Sequence, residues 1–296
     1  MPEKALYTAD MHGNEIQYQK LVNYGIKIHA DIIIIGGDIT PKITPFNTCI
    51  KNLKNQRDFL QFRLPELLNP LKQKLPKSRL FILMGNDDCS VNMDILKNND
   101  SELYQIIHNK RINLTEKYDI VGYSYVPITP FGMKDWEKYD LTRIPIKLKQ
   151  QYLKRIKTSY RLEGFKSTLE GLQKFNFSSD IKQENTIQND LSKDLFRENP
   201  EKTIYVIHTP PNNTNLDQTN IGSHAGSFAV REFTEQCQPL LTLHGHIHES
   251  VEVSGQFKEK IGKTLCLSPG NTNYSNQLAV LSFDLSHIQE VKRIII

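Results

Sequence analysis

The sequence predicts an α/β protein. Short apolar runs of strand length alternate with stretches of helical periodicity at both ends of the chain. Several of those runs stop at a glycine followed by a polar residue, as buried strands feeding a binding edge do. A charged stretch without histidine, residues 132–200, separates the two ends and reads as a mostly helical insertion in one domain spanning 1–296.

Each element has its own signal. Lys4–Ala9 reads as a strand ending at Asp10, and Glu15–His29 as a helix with Ile16, Leu21, Tyr24 and Ile28 on one side. "DIIIIGGD" (31–38) is apolar between polar ends, the pattern of a buried parallel strand. Ile50–Lys74 is helical in pattern, with interruptions expected at Pro65 and Pro70. "SRLFILMGND" (78–87) is a second buried strand closing in a glycine turn. Val91–Lys110 reads as helix and Tyr118–Val126 as strand. Inside the insertion, Leu148, Tyr152, Ile156 and Tyr160 recur at helical spacing, as do Phe165, Leu169 and Leu172, while 178–200 is polar and reads as loop. "TIYVIH" (203–208) is a strand, Gly226–Gln238 a helix and "PLLTLHGH" (239–246) a strand. From Ser250 to Ile296 short β runs alternate with turns.

Composition narrows the function classes. The 296 residues carry 37 Lys and Arg against 33 Asp and Glu, a net charge of +4, which fits a solvated lysine-rich surface better than a dedicated nucleic-acid binder. No apolar run approaches the roughly 20 residues of a membrane helix. The N-terminal Met-Pro-Glu-Lys lacks a secretory pattern, so the expected location is cytoplasmic. Cys49, Cys89, Cys237 and Cys266 are widely spaced, which excludes a disulfide scaffold or a thiolate zinc knuckle.

Histidine is distributed unevenly. Five of the nine, His208, His224, His244, His246 and His248, fall between 208 and 248. Five strand ends each offer oxygen or imidazole ligands: Asp10 and His12, then Asp38, Asn86, His208, and His246 with His248. On an extended segment residues i and i+2 point the same way, so Asp10 and His12 can share one metal, as can His246 and His248. The glycines in "GGD", "MGN" and "HGH" let the backbone turn sharply and come close to the ions.

The ordered series D-x-H, GD, GN, H and GHxH resembles the calcineurin-like metallophosphoesterase superfamily, and it runs the length of the chain. "VIHTPP", "GSHAGSFAVREF", "LHGHIHES", "LSPGN" and "PITPFGMKDWEKYD" look like its Icc-like branch. The resemblance implies an α/β sandwich of two facing sheets flanked by helices. It implies two divalent metal ions, one bound by Asp10, His12 and His248 and the other by Asn86, His208 and His246, with Asp38 bridging. This oxygen and nitrogen set suits Mn²⁺, Fe or Zn²⁺. The implied chemistry is hydrolysis of a phosphate ester by a metal-bridging hydroxide.

The chain departs from the family pattern at one place. The family usually has GNH followed by an acid, and its histidine is the candidate general acid; here "GNDD" places Asp87 there, with Asp88 next. An ordinary Asp is ionised at neutral pH and donates no proton. The expected substrate is therefore a phosphodiester or phosphoanhydride with a good, nucleotide-like leaving group. His224, in a loop after a ligand strand, is a candidate substitute acid, with a loop surface histidine the alternative; His244 reads as a core residue. Lys147, Lys149, Lys154, Arg155, Lys157 and Arg161 form a basic cluster that would suit a nuclease, a second reading. A third is a non-catalytic protein-binding scaffold of the same fold.

Overall fold

The computed structural model describes residues 3–43, 49–142, 161–180, 185–271 and 275–296. Strands β1 (Lys4–Thr8), β2 (Ile32–Gly36), β3 (Arg79–Leu83) and β4 (Gln105–Ile106) pair in parallel, and β15 (Ala279–Asp284) and β16 (Lys292–Ile295) extend that sheet antiparallel beyond β1. Its order is β16-β15-β1-β2-β3-β4. In a second sheet β6 (Asp119–Tyr123), β11 (Thr203–Ile207), β12 (Leu241–Leu243) and β14 (Thr264–Leu267) run parallel. Its edges β5 (Arg111–Asn113) and β13 (Lys258–Ile261) are antiparallel. This sheet also has six strands, in the order β13-β14-β12-β11-β6-β5.

Period-2 alternation explains why two sheets stack. Ala5, Tyr7, Ile32, Ile34, Phe81 and Leu83 share one buried cluster with Ile204, Val206, Leu241, Leu243, Leu265 and Leu267 of the second sheet. The intervening Leu6, Ile33, Ile35, Leu80 and Ile82 face outward onto Leu21 and Val22 of α1 (Glu15–Ile28) and onto Leu64, Leu68 and Leu71 of α3 (Leu64–Lys74). On the other side, Tyr205 and Ile207 meet Phe228, Val230 and Phe233 of the helix Phe228–Cys237. Each of these aliphatic or aromatic side chains contributes about 1.5–3 kcal/mol by burial. The fold is thus two mixed sheets flanked by helices.

Several expectations need correction. The helical spacing of Phe165, Leu169 and Leu172 is coincidental: these residues lie on a hairpin, β9 (Glu163–Thr168) paired with β10 (Gly171–Asn176). Gly164, Ser167 and Thr168 are poor helix formers, and Leu169 sits at the turn, 71% exposed. The helix expected over Leu148, Tyr152, Ile156 and Tyr160 lies outside the described residues, as does all of the basic cluster except Arg161. The stretch 178–200 is not loop alone. It holds short helices at Ile187–Leu191 and Asp194–Arg197, whose Ile187, Leu191 and Phe196 fill the outer core beside Tyr205. Val91–Lys110 is not one helix but short turns around Met93–Leu96 followed by β4. The prolines do not break the 49–74 run: α2 (Cys49–Asp58) passes through a π turn at Phe59–Arg63 directly into α3. Pro65 follows the π turn at the start of α3.

Candidate metal centre

The carboxyl ends of β1, β2 and β3 from one sheet and of β11 and β12 from the other deliver the predicted residues to one place. They do so through turns rather than extended segments. Asp10, His12, Asp38 and His246 all have left-handed backbones, with φ of 61°, 45°, 51° and 67°. The expected i, i+2 alternation therefore does not orient Asp10 and His12. Left-handed non-glycine residues cost on the order of 1–3 kcal/mol each and persist only where the surroundings hold them. Here Asp10 N donates to Gly37 O at 3.0 Å and His12 N to Asp38 O at 2.8 Å, so the two ligand turns clamp each other.

Asp10, His12, Asp38 and His248 each present one ligand atom, and these atoms lie within 4.8 Å of one another. His12 Nε2 is 3.1 Å from His248 Nε2 and 3.7 Å from Asp38 Oδ2, and His248 Nε2 is 3.7 Å from Asp10 Oδ1. A second group adjoins the first. Asn86 Oδ1 is 2.6 Å from His246 Nδ1 and 3.2 Å from His208 Nε2. His208 Nε2 in turn is 3.5 Å from Asp38 Oδ2. Asp38 reaches both groups, and so does Asp10, whose Oδ1 is 3.9 Å from His208 Nε2. His208 Nδ1 lies 2.8 Å from Gly36 O, which fixes the ring and leaves Nε2 to the cluster. Two glycines make the approach close enough: a Cβ on Gly37 would collide with the His208 ring, and one on Gly85 with Asp38 and His208.

The electrostatics call for cations. Asp10 and Asp38 are buried, and among the described residues their ion-pair contacts are histidines rather than Lys or Arg. Burial pushes Asp10 up to about 7, with His208 opposing and Asp38 adding to the shift. For Asp38, burial is outweighed by His208 and His12, which hold it below the carboxylate range. Burial likewise works against His208, yet Asp38 and Asp10 raise it to about 9. Burial lowers His12 and takes His248 down to about 4. Buried carboxylates of this kind are ordinarily compensated by pairing or by a metal. Buried His12 Nδ1 also lacks a hydrogen-bond partner. The donors, carboxylate and amide oxygens with imidazole nitrogens, fit hard to intermediate divalent ions.

Asp87 borders the group. Its backbone N donates to Asp38 Oδ1 at 2.8 Å, its Oδ1 accepts from Asn86 Nδ2 at 3.0 Å, and its Oδ2 is 3.7 Å from His12 Nδ1. Burial pushes it up to about 8, with Asp38 adding. Asp88 does something else. It accepts from Ile39 N, Thr40 N and Gly85 N at 3.1, 2.8 and 2.8 Å and so ties the GD turn to the GN turn. His244 stays apart, its Nδ1 2.8 Å from Ile207 O and its Nε2 2.8 Å from Thr242 Oγ1. His224 also lies outside the metal group, bonded to Asp217.

Sequence reasoning missed a clasp beside Asp87. Asp135 accepts from Ser90 N at 2.7 Å and from Ser167 N at 2.8 Å, and also from the Ser167 hydroxyl. Val91 N donates to Ser167 Oγ at 3.2 Å, and Trp136 Nε1 donates to Asp88 O at 2.9 Å. The hairpin β9–β10 is thereby tied to the segment that follows Asn86. The Trp136 indole is buried against His108 and Tyr125.

The profile of the calcineurin-like phosphoesterases matches residues 4–250. The chain belongs to that family. Solved structures agree in fold. The protein TT1561 of Thermus thermophilus is 16% identical, with a TM-score of 0.52 and 99% of each chain covered. A dimetal phosphatase from Danio rerio is 12% identical, with a TM-score of 0.52, covering 100% of this chain and 99% of that one. No curated protein matches the sequence. As a calcineurin-like phosphoesterase with a buried Asp and His group, the chain has the ligands for divalent metal. None of its described helices is long and apolar enough to cross a membrane.

Proposed function

We propose that this phosphoesterase binds two divalent cations, Mn²⁺, Fe or Zn²⁺, and hydrolyses a phosphodiester or phosphoanhydride in a small nucleotide-like substrate. Asp10, His12 and His248 hold one ion and Asn86, His208 and His246 the other. The observation that carries this reading is Asp38, placed 3.7 Å from His12 Nε2 in one group and 3.5 Å from His208 Nε2 in the other. Bound cations would neutralise phosphoryl charge and lower the pKa of a water. The chain's own residues fix where that happens. Gly36 O orients His208, and the clamped turns after β1 and β2 hold Asp10, His12 and Asp38 against the strain of their backbones. The dimetal phosphatase among the structural neighbours supports the two-ion reading.

Substrate preference follows from Asp87. Beside two cations its carboxylate stays ionised, so it supplies no proton to a leaving group. Esters with good leaving groups then react best. A complete ligand set favours this enzyme over a non-catalytic scaffold. The nuclease reading depends on the basic cluster, which lies almost wholly outside the described residues. The cysteines Cys89, Cys237 and Cys266 are unpaired, in keeping with a cytoplasmic setting.

The test is turnover of bis(p-nitrophenyl) phosphate and of an alkyl aryl diester with added Mn²⁺, Fe²⁺ or Zn²⁺, with and without chelator. Metal-dependent release of nitrophenol supports the reading. No turnover with any of the three metals would sink it.

A further inference from the structure

Gln56 is a fully buried polar side chain on α2, a helix that carries none of the proposed ligands. Burying an amide costs free energy unless its donors and acceptor are met. Here they are met by backbone and side-chain groups of the turns below the helix. Gln56 Nε2 donates to Pro41 O at 3.0 Å and to Asp87 O at 2.8 Å. Gln56 Oε1 accepts from Cys89 N at 2.8 Å and from Asn92 Nδ2 at 3.4 Å. One side chain thus bridges the turn after β2, the turn after β3 and the segment that follows. Arg57, the next residue on α2, grips the same segment: its Nη1 donates to Asn92 Oδ1 at 3.3 Å, and its guanidinium pairs with Asp94.

The two ends of this bridge are not equivalent. On the β2 side Pro41 lies three residues past Asp38, and Asp88 already holds the intervening Ile39 and Thr40 amides. On the β3 side the bond falls on the carbonyl of Asp87, directly after Asn86. The amide of that same Asp87 donates to Asp38 Oδ1 at 2.8 Å. Asp87 is therefore held at both its N–H and its carbonyl, which fixes the peptide planes on which the Asn86 side chain depends. Asn86 brings a neutral amide oxygen, 2.6 Å from His246 Nδ1 and 3.2 Å from His208 Nε2. A neutral ligand attracts a cation less than a carboxylate does, so its value rests on placement.

We propose that Gln56 is the positioning residue for the ion held by Asn86, His208 and His246; this rests on the two-ion reading above. Through the Asp87 carbonyl and the Cys89 amide it fixes the turn on which Asn86 stands. The bonds it makes there reach none of the seven ligand residues, so it acts through the backbone alone. The ion held by Asp10, His12 and His248 has its ligands on other turns and does not depend on Gln56.

The test titrates metal-free protein with Mn²⁺, read by calorimetry and by electron paramagnetic resonance. It compares wild type with Gln56→Leu, which removes the amide at similar volume. Gln56→Leu should weaken one of the two ions by about 10–100-fold, as loss of an outer-shell partner does, and leave the other at wild-type affinity. At a Mn²⁺ concentration that just fills wild type, the variant should show the spectrum of an isolated ion in place of a coupled pair. Excess Mn²⁺ should restore the pair and the turnover of bis(p-nitrophenyl) phosphate. Adding His248→Ala should remove the remaining ion, and adding His246→Ala should not; the reverse pattern overturns the proposal. Tyr205→Phe, which unties a buried hydroxyl from Phe196 O far along β11, is the destabilised control and should keep both ions. Should Gln56→Leu fail to fold, Gln56→Glu keeps an acceptor for Cys89 N, loses the donors and should lose the same ion. Both ions weakened equally, both retained, or one lost in Tyr205→Phe as well, overturns the proposal. Wild type binding a single ion would overturn the two-ion reading, and the proposal with it.

Discussion

Asp88 shows how one side chain can fix the site without touching a substrate. Three backbone amides from two ligand turns converge on its buried carboxylate. Asp88→Ala leaves those donors unpaired, and each costs about 1–3 kcal/mol. Urea unfolding should show a loss of roughly 3 kcal/mol or more, and a loss under ~1 kcal/mol would mean that water replaces the carboxylate. Asp87 should behave differently. If it carries no proton, Asp87→Asn should change steady-state turnover by less than about tenfold, whereas a general acid would cost 10²–10⁴-fold. Six of the seven candidate ligand positions stand out because they sit one to three residues past an apolar run; His248, five past Leu243, is marked by the GHxH spacing instead. The left-handed backbones of Asp10, His12, Asp38 and His246 do not stand out, since nothing in D-x-H, GD or GHxH distinguishes an extended segment from a turn. Asp217 was equally hidden, because it lies in an irregular segment between Ile207 and Phe228 where no periodicity applies.

At the scale of elements, the clasp joins the hairpin β9–β10 to the turn after Asn86. Asp135 links Ser90 and Ser167, and Trp136 reaches Asp88 O. Loosening it should disturb the ligand turn from outside. Asp135→Ala should weaken Mn²⁺ binding by about 10–100-fold, as loss of outer-shell support typically does, with the far-UV spectrum unchanged. Calorimetric titration showing wild-type affinity would reduce the clasp to a tie between surface elements. This region is also where the sequence misled. Phe165, Leu169 and Leu172 fit a helix by spacing, but the hairpin satisfies its backbone across two strands and leaves Leu169 at the tip. Polar residues 187–197 hid three apolar anchors, Ile187, Leu191 and Phe196, too sparse to announce a helix. The buried strands, by contrast, were plain: runs such as Ile32–Ile35 are apolar on both faces because one face meets the other sheet and the other meets helices.

For the whole molecule, stability should depend on pH through residues outside the metal group. His108 Nδ1 accepts from Ser124 N at 3.1 Å, and burial lowers the ring to about 4. Unfolded histidine titrates near 6.5. Between those values the unfolded chain binds the proton more readily, so stability is full above about pH 6.5 and declines as pH falls toward 4. The thermal midpoint of metal-free protein should therefore drop between pH 7.5 and pH 5, and drop less in His108→Gln; an equal drop in both would assign the effect elsewhere. The two sheets also explain why so distant residues form one site. Asp10 and His248 meet because β1 and β12 end at the same edge of the sandwich, and Asp38 sits where both ligand groups meet. That placement can be measured directly by counting metal ions per chain after reconstitution with Mn²⁺ and desalting. The account predicts two ions in wild type and none in Asp38→Ala, with the variant still folded. Two ions retained by Asp38→Ala, or no ion bound by wild type, would contradict it.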